Sequence, residues 1–168
     1  SNGVQRFGWS VAIDGTVAVI GAPEADTPTT NAGNAFIFTK AGSTWTEQQI
    51  LTGTTSSGLF GNSVDVLGNT VVVGAHFQGS GNVHVYVNTG LAWSLQQTVT
   101  DVFSTITDEF GYSVAIDGNT LVVGAPDDNS AVGSLSVYTR PGGNSTTEIN
   151  VGTAPFEHIY ISGGSINI

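Results

Sequence analysis

One nine-residue phrase occurs three times in this chain, and that repetition limits the fold more than anything else in it. Phe7-Gly8-Trp9-Ser10-Val11-Ala12-Ile13-Asp14-Gly15 returns as Phe110-Gly111-Tyr112-Ser113-Val114-Ala115-Ile116-Asp117-Gly118. A looser copy is Phe60-Gly61-Asn62-Ser63-Val64-Asp65-Val66-Leu67-Gly68. Each copy runs on into an apolar block: Val17-Ala18-Val19-Ile20-Gly21-Ala22-Pro23, Val71-Val72-Val73-Gly74-Ala75-His76 and Leu121-Val122-Val123-Gly124-Ala125-Pro126. The copies start 53 and 50 residues apart. A period of that length means one supersecondary unit used repeatedly, each unit burying its faces against its neighbours.

Each unit reads as four short strands. The first is the Ser-Val-x-Ile/Val segment, ending at a tight turn placed at Asp14-Gly15, Gly68-Asn69 or Gly118-Asn119, pairs that accept the positive φ a hairpin demands. The second is the Val/Ile/Leu run, whose consecutive apolar residues predict a strand covered on both faces. After a variable loop comes the third, Asn34–Phe38, Asn82–Val87 or Ser134–Tyr138. The fourth is Trp45–Leu51 or Trp93–Val99. No segment shows a helical period. Four antiparallel strands per unit, repeated, is the blade pattern of a β-propeller; a sandwich of hairpins is the alternative.

Composition narrows the function. Three Lys and Arg stand against thirteen Asp and Glu, a net charge of −10. That argues against nucleic acid and anionic lipid, which need a basic surface. No cysteine is present, so there is neither a disulfide framework nor a thiol nucleophile. No apolar run approaches the roughly 18 residues of a membrane-spanning helix. No secretory leader is visible and the chain begins with Ser1, as expected of a mature or trimmed chain. With Lys40 as its single lysine and no Gly-x-Ser-x-Gly elbow, the sequence offers no agent for nucleotide or acyl chemistry.

The paired signatures resemble the FG-GAP repeat family. Phe7-Gly8 with Gly21-Ala22-Pro23, and Phe110-Gly111 with Gly124-Ala125-Pro126, carry both halves; the middle unit has His76 in place of the proline. The Trp-x-x-x-Gln start of the fourth strand is similar to bacterial and algal versions. The resemblance implies an integrin-α-like β-propeller, extracellular adhesion or ligand binding, and no catalysis. It also implies calcium in an Asp-rich loop between strands one and two. Here that loop has shrunk to a two-residue turn, which cannot supply the six to eight oxygens calcium takes, and that site is not carried over; no cofactor is expected, with calcium left open.

The fold expected is therefore all-β: three four-stranded antiparallel FG-GAP blades with a C-terminal strand-like tail. Residues 1–6 form an arm, 7–52 blade 1, 60–100 blade 2, 110–151 blade 3 with a degenerate last strand, and 152–168 the tail. Phe156, Ile159, Tyr160, Ile161, Ile166 and Ile168 make the tail strand-like. It is read as a cap on blade 3 or as an assembly strand given to a neighbour. Three blades cannot close a ring alone, since the outer ones would leave faces and edges bare. Two chains closing a ring, many stacking head to tail, or a longer parent would complete it.

Candidate contact residues follow from the repeat. Trp9 and Tyr112 occupy one repeat position with Asn62 between them, which marks it as solvent-facing. Phe77 lies in a variable loop, and Asp127 and Asp128 form the best acidic pair for a cation or a sugar hydroxyl. Trp45 and Trp93 match each other and read as blade packing. Asn144-Ser145-Thr146 is a glycosylation sequon. No catalytic or metal-ligating set is expected. The function anticipated is a non-catalytic adhesion or recognition module, extracellular or on the cell surface, associating with itself through open blade edges and taking a protein or glycan ligand. The alternative is a structural subunit of an extracellular filament or sheath, its tail bridging neighbours.

Overall fold

The structure is a computed structural model that describes residues 5–101, 108–128 and 133–140, with the backbone of 157–161. It contains three four-stranded antiparallel sheets. Blade 1 comprises β1 (Ser10–Asp14), β2 (Val17–Ala22), β3 (Asn34–Ala41) and β4 (Thr44–Thr52), in that order across the sheet. Blade 2 repeats it with β5 (Ser63–Leu67), β6 (Thr70–Ala75), β7 (Asn82–Asn88) and β8 (Trp93–Val99). Blade 3 has β9 (Ser113–Asp117), β10 (Thr120–Ala125), β11 (Ser134–Thr139) and β12 (Glu157–Ile161). The last strand expected within 141–151 lies outside the described residues; β12 takes the fourth position, Ile159 opposite Val137 and Ile161 opposite Leu135.

The hairpins come from glycine. Asp14 pairs with Val17, so the blade 1 turn is Gly15-Thr16, one residue later than expected, and it aligns with Gly68-Asn69 and Gly118-Asn119. Gly15, Gly68 and Gly118 all sit near φ +54, the left-handed region a two-residue hairpin needs at its first loop position.

Alternation along each strand then assigns every residue a face. Val71 and Val73 of β6, with Val64 and Val66 of β5, face blade 1 and join Val19, Ile37 and Leu51 in one core. Val72, Val83 and Val85 face the other way and meet Ile116, Leu121 and Val123 of blade 3 in a second. The predicted two-sided cover thus holds fully only for β6, which is buried throughout. The closest approaches between sheets run through the first strands, β1 to β5 and β5 to β9, so the blades fan out from them.

The outer strands are tied by a device the repeat hides. A register shift on β4 opposite Ile37 and Phe38 leaves Gln48 unpaired. A bulge of this kind breaks the strict alternation, and both Gln48 and Gln49 reach blade 2. Gln49 receives the Trp93 backbone N–H at 2.8 Å and donates to the Trp93 carbonyl at 2.8 Å, while the indole Nε1 donates to Gln48 Oε1 at 3.1 Å. Trp93 is buried, whereas Trp45, its counterpart, is exposed with Lys40 Nζ 5.8 Å from its ring.

Candidate functional site

Each unit enters its first strand through a four-residue turn closed by a backbone hydrogen bond: Trp9 N to Arg6 O, Asn62 N to Leu59 O and Tyr112 N to Glu109 O, at 3.0 to 3.1 Å. The first residue of each turn is left-handed (Arg6, Leu59 and Glu109, φ 50 to 57), which a side chain adopts at a cost. The Phe-Gly pair fills the centre. Gly8, Gly61 and Gly111 donate to the carbonyls of Gly21, Gly74 and Gly124, tying each turn to the place where the second strand of its own blade runs out. The residues flanking Phe-Gly and those following Gly-Ala are thereby brought to one end of the sheets.

That end holds a cleft of about 360 Å³. Its walls come from equivalent positions of successive units: Arg6, Leu59 and Glu109 before the phenylalanine; Trp9, Asn62 and Tyr112 after the glycine; Pro23 and His76 after Gly-Ala; Glu24 and Phe77 next. The volume falls within the range of small-ligand sites. A ladder crosses it. Trp9 Nε1 donates to Asn62 Oδ1 at 3.1 Å, and Asn62 Nδ2 donates to the Tyr112 carbonyl at 3.0 Å. Arg6 lies 5.0 Å over the Trp9 ring and pairs with Glu24 at 3.0 Å.

His76 is the unusual member. It is 4% exposed, its ring packs 4.3 Å from Phe77 and 5.2 Å from Tyr112, and its Nδ1 is buried with no hydrogen-bond partner among the described residues. Burial lowers its pKa, so the ring is neutral at pH 7. Glu109 is pushed up by burial and by the charge of Asp127.

Of the contact residues expected from sequence, Trp9, Tyr112 and Phe77 line this cleft and are exposed. Asp127 is exposed and close enough to act on Glu109, but neither Asp127 nor Asp128 lines the cleft. Ile159, Tyr160 and Ile161 belong to β12 within their own sheet. Phe156, Ile166, Ile168 and Asn144 lie outside the described residues. The sequence did not single out Arg6, Leu59, His76 or Glu109 as contact residues, and it marked Asn62 only as sharing a solvent-facing position. Their signal was positional, a fixed offset from Phe-Gly or Gly-Ala, and their chemistry differs from unit to unit.

The calcium loop of the resemblance does not fit. The carboxylates near the β1–β2 and β5–β6 turns are spent on backbone amides: Asp14 accepts the Gly68 N–H at 2.6 Å, and Asp65 accepts from Val66 and Ile116 at 2.8 and 2.7 Å. Among the described residues no three His, Asp or Glu converge as a metal set. No described helix is long and apolar enough to cross a membrane.

Sheets of one topology, fanned from their first strands and carrying a cleft on their entry turns, define a β-propeller-like blade-repeat protein. Sequence comparison supplies the family: the FG-GAP repeat profile matches residues 2–38, 45–86 and 93–139, well over half of the chain. The chain belongs to the FG-GAP repeat family. The second and third matches open on Trp45 and Trp93, so the family's unit pairs the outer strand of one blade with the first three strands of the next. No curated protein matches the chain. Domains of this family are generally non-catalytic and typically extracellular.

Proposed function

We propose that this chain is a non-catalytic recognition module, working outside the cell or at its surface, that holds a glycan in the cleft at the entry turns. The observation that carries the reading is the orphaned Nδ1 of His76. A buried polar atom without a partner calls for one, and a sugar hydroxyl is both donor and acceptor. The surroundings suit the same ligand. Trp9, Phe77 and Tyr112 offer flat apolar surface to a pyranose face, and Glu24, Asn62 and Glu109 offer polar atoms at its rim. His76 stands where the other two units have Pro23 and Pro126, so the feature is particular to this cleft.

The test is a glycan panel probed with the 168-residue chain, followed by titration of any hit with Trp fluorescence. Binding is expected for the native chain, reduced at least tenfold in Trp9→Ala and His76→Pro. Trp9 is exposed and His76→Pro restores the residue of the sister units, so both variants should fold. Failure to bind any glycan, or binding that both variants retain, would refute the reading. A second reading, a structural subunit of an extracellular filament, draws support from the exposed Val11, Ile13 and Leu135 on the outer faces of blades 1 and 3.

A further inference from the structure

We infer that the chain associates head to tail with a second copy of itself, the Phe7-Gly8 turn and β1 face of one copy seating on the β9–β10–β11 face of the next. The inference does not depend on what the cleft holds. It rests on the two junctions inside the chain, which show what such a contact is made of. At each, the phenylalanine of the incoming turn is buried: Phe60 is 1% exposed and Phe110 0%. The glycine carbonyl of that turn accepts from the serine opening the preceding blade, Ser10 Oγ to Gly61 O at 2.8 Å and Ser63 Oγ to Gly111 O at 2.9 Å. The same carbonyl occupies the place of the missing Cβ of Gly21 or Gly74. A plug and a seat are thus defined twice.

Both halves recur at the ends. Blade 1 carries the plug. Its turn is formed, Gly8 faces open space, and Phe7 is 56% exposed although its ring rests edge-on against Phe36 at 5.1 Å. Beside it Val11 and Ile13 are 69% and 66% exposed, where Val64 and Val66 of blade 2 are 8% and 4%. Blade 3 carries the seat. Gly124 keeps the gap, and among the described residues only Ser113 lies against it. Leu135 is 37% exposed where its counterparts Ala35 and Val83 are fully buried. Asp117 holds the position from which Asp14 accepts the Gly68 amide across the first junction.

Charge agrees with this pairing. Glu24 and Leu59, and likewise Phe77 and Glu109, come from successive units and line one cleft. By the same repeat geometry the Asp127 end of one copy comes toward the Arg6 end of the next, opposite charges, although Arg6 is already paired with Glu24 of its own blade. One element is not reproduced. The Gln48-Gln49 clamp has no counterpart, since β12 carries no glutamine, so the contact between copies is weaker than an internal junction.

Sedimentation velocity and light scattering across concentration test this with the native chain, Val11→Lys and Gly124→Ala. Val11 is solvent-exposed, and a Cβ at Gly124 meets a movable serine side chain, so both variants should keep the native circular dichroism. The native chain should gain mass with concentration. Each variant alone should stay monomeric, one lacking a plug and the other a seat. Their equimolar mixture should form a one-to-one pair and nothing larger, because each retains one sound end. A monomeric native chain would overturn the inference; residues of the chain's own tail would then cover the seat. Native assembly that neither variant reduces would overturn it too, by placing the contact elsewhere.

Discussion

Acid should loosen this protein through His84. The ring lies in β7 on the face of blade 2 that meets blade 1, 5.2 Å from the Phe60 ring, with Nε2 2.9 Å from Gln78 Oε1 and Nδ1 3.3 Å from Thr98 Oγ1. Burial lowers its pKa from 6.5 to about 4. The unfolded chain therefore takes up a proton that the folded one refuses, and stability falls as pH drops through the window between those values. Each pKa unit is worth about 1.4 kcal/mol, so the full effect is about 3 kcal/mol, and about 2 kcal/mol of it is lost between pH 7 and pH 5. For a chain of this length that is roughly 4–8 °C in Tm. The measurement is thermal unfolding at pH 7, 6 and 5 for the native chain and for His84→Phe. Phenylalanine keeps the ring against Phe60 and is the residue blade 1 carries at the matching position, Phe36. The variant should lose most of the slope between pH 7 and 5, with His76 and Glu109 contributing to what remains. An unchanged slope in His84→Phe would show that the ring takes up its proton as readily in the fold as in the unfolded chain and that the reasoning from burial fails.

Two stability predictions use the repeat as its own control. Gly74→Ala drives a Cβ into the Gly111 carbonyl and should cost about 1–3 kcal/mol in urea unfolding, while Gly124→Ala, facing no described backbone beyond its own blade, should cost clearly less. Phe60→Ala empties a fully packed site and should cost about 3–5 kcal/mol, whereas Phe7→Ala, already 56% exposed, should cost about 1 kcal/mol or less in the monomer.

What the sequence made legible is what period and alternation encode. The β1, β5 and β9 phrases and the Val-rich β2, β6 and β10 runs announce strands, turns and a threefold unit. The bareness of the outer faces is not encoded there. Val11 and Val64 look alike in sequence and differ only in whether a blade stands in front of them. The Gln48-Gln49 clamp was hidden because adjacent residues of a regular strand point opposite ways, and only the bulge brings both to Trp93. The fourth strand of blade 3 was not legible, because 147–151 and 157–161 alternate equally well once the Trp and Gln-Gln landmarks are gone; the first segment lies outside the described residues and the second pairs with β11. Trp9 and Tyr112 stand out in sequence as a solvent-facing pair by their matched positions, and both line the cleft. Arg6, Leu59 and Glu109 escaped because a turn's left-handed first residue leaves no shared side-chain signature.

The Phe-Gly turn joins these observations. Its centre, phenylalanine and glycine carbonyl, locks one blade to the next; its ends, residues such as Arg6 and Trp9, wall the cleft. Junction and cleft wall are therefore two sides of the same four-residue turn. A head-to-tail contact between copies must then create another cleft, with Asp127 on one wall and Arg6 and Trp9 on the other. A ligand seated there binds the assembled state and not the separated chain, so it draws association to lower concentration by linkage. The proposed recognition and the proposed assembly are therefore compatible under this geometry. If copies close a ring, each junction adds a site to a fixed set. If the rotation between copies does not close, the same contact propagates as a filament studded with clefts at a regular repeat.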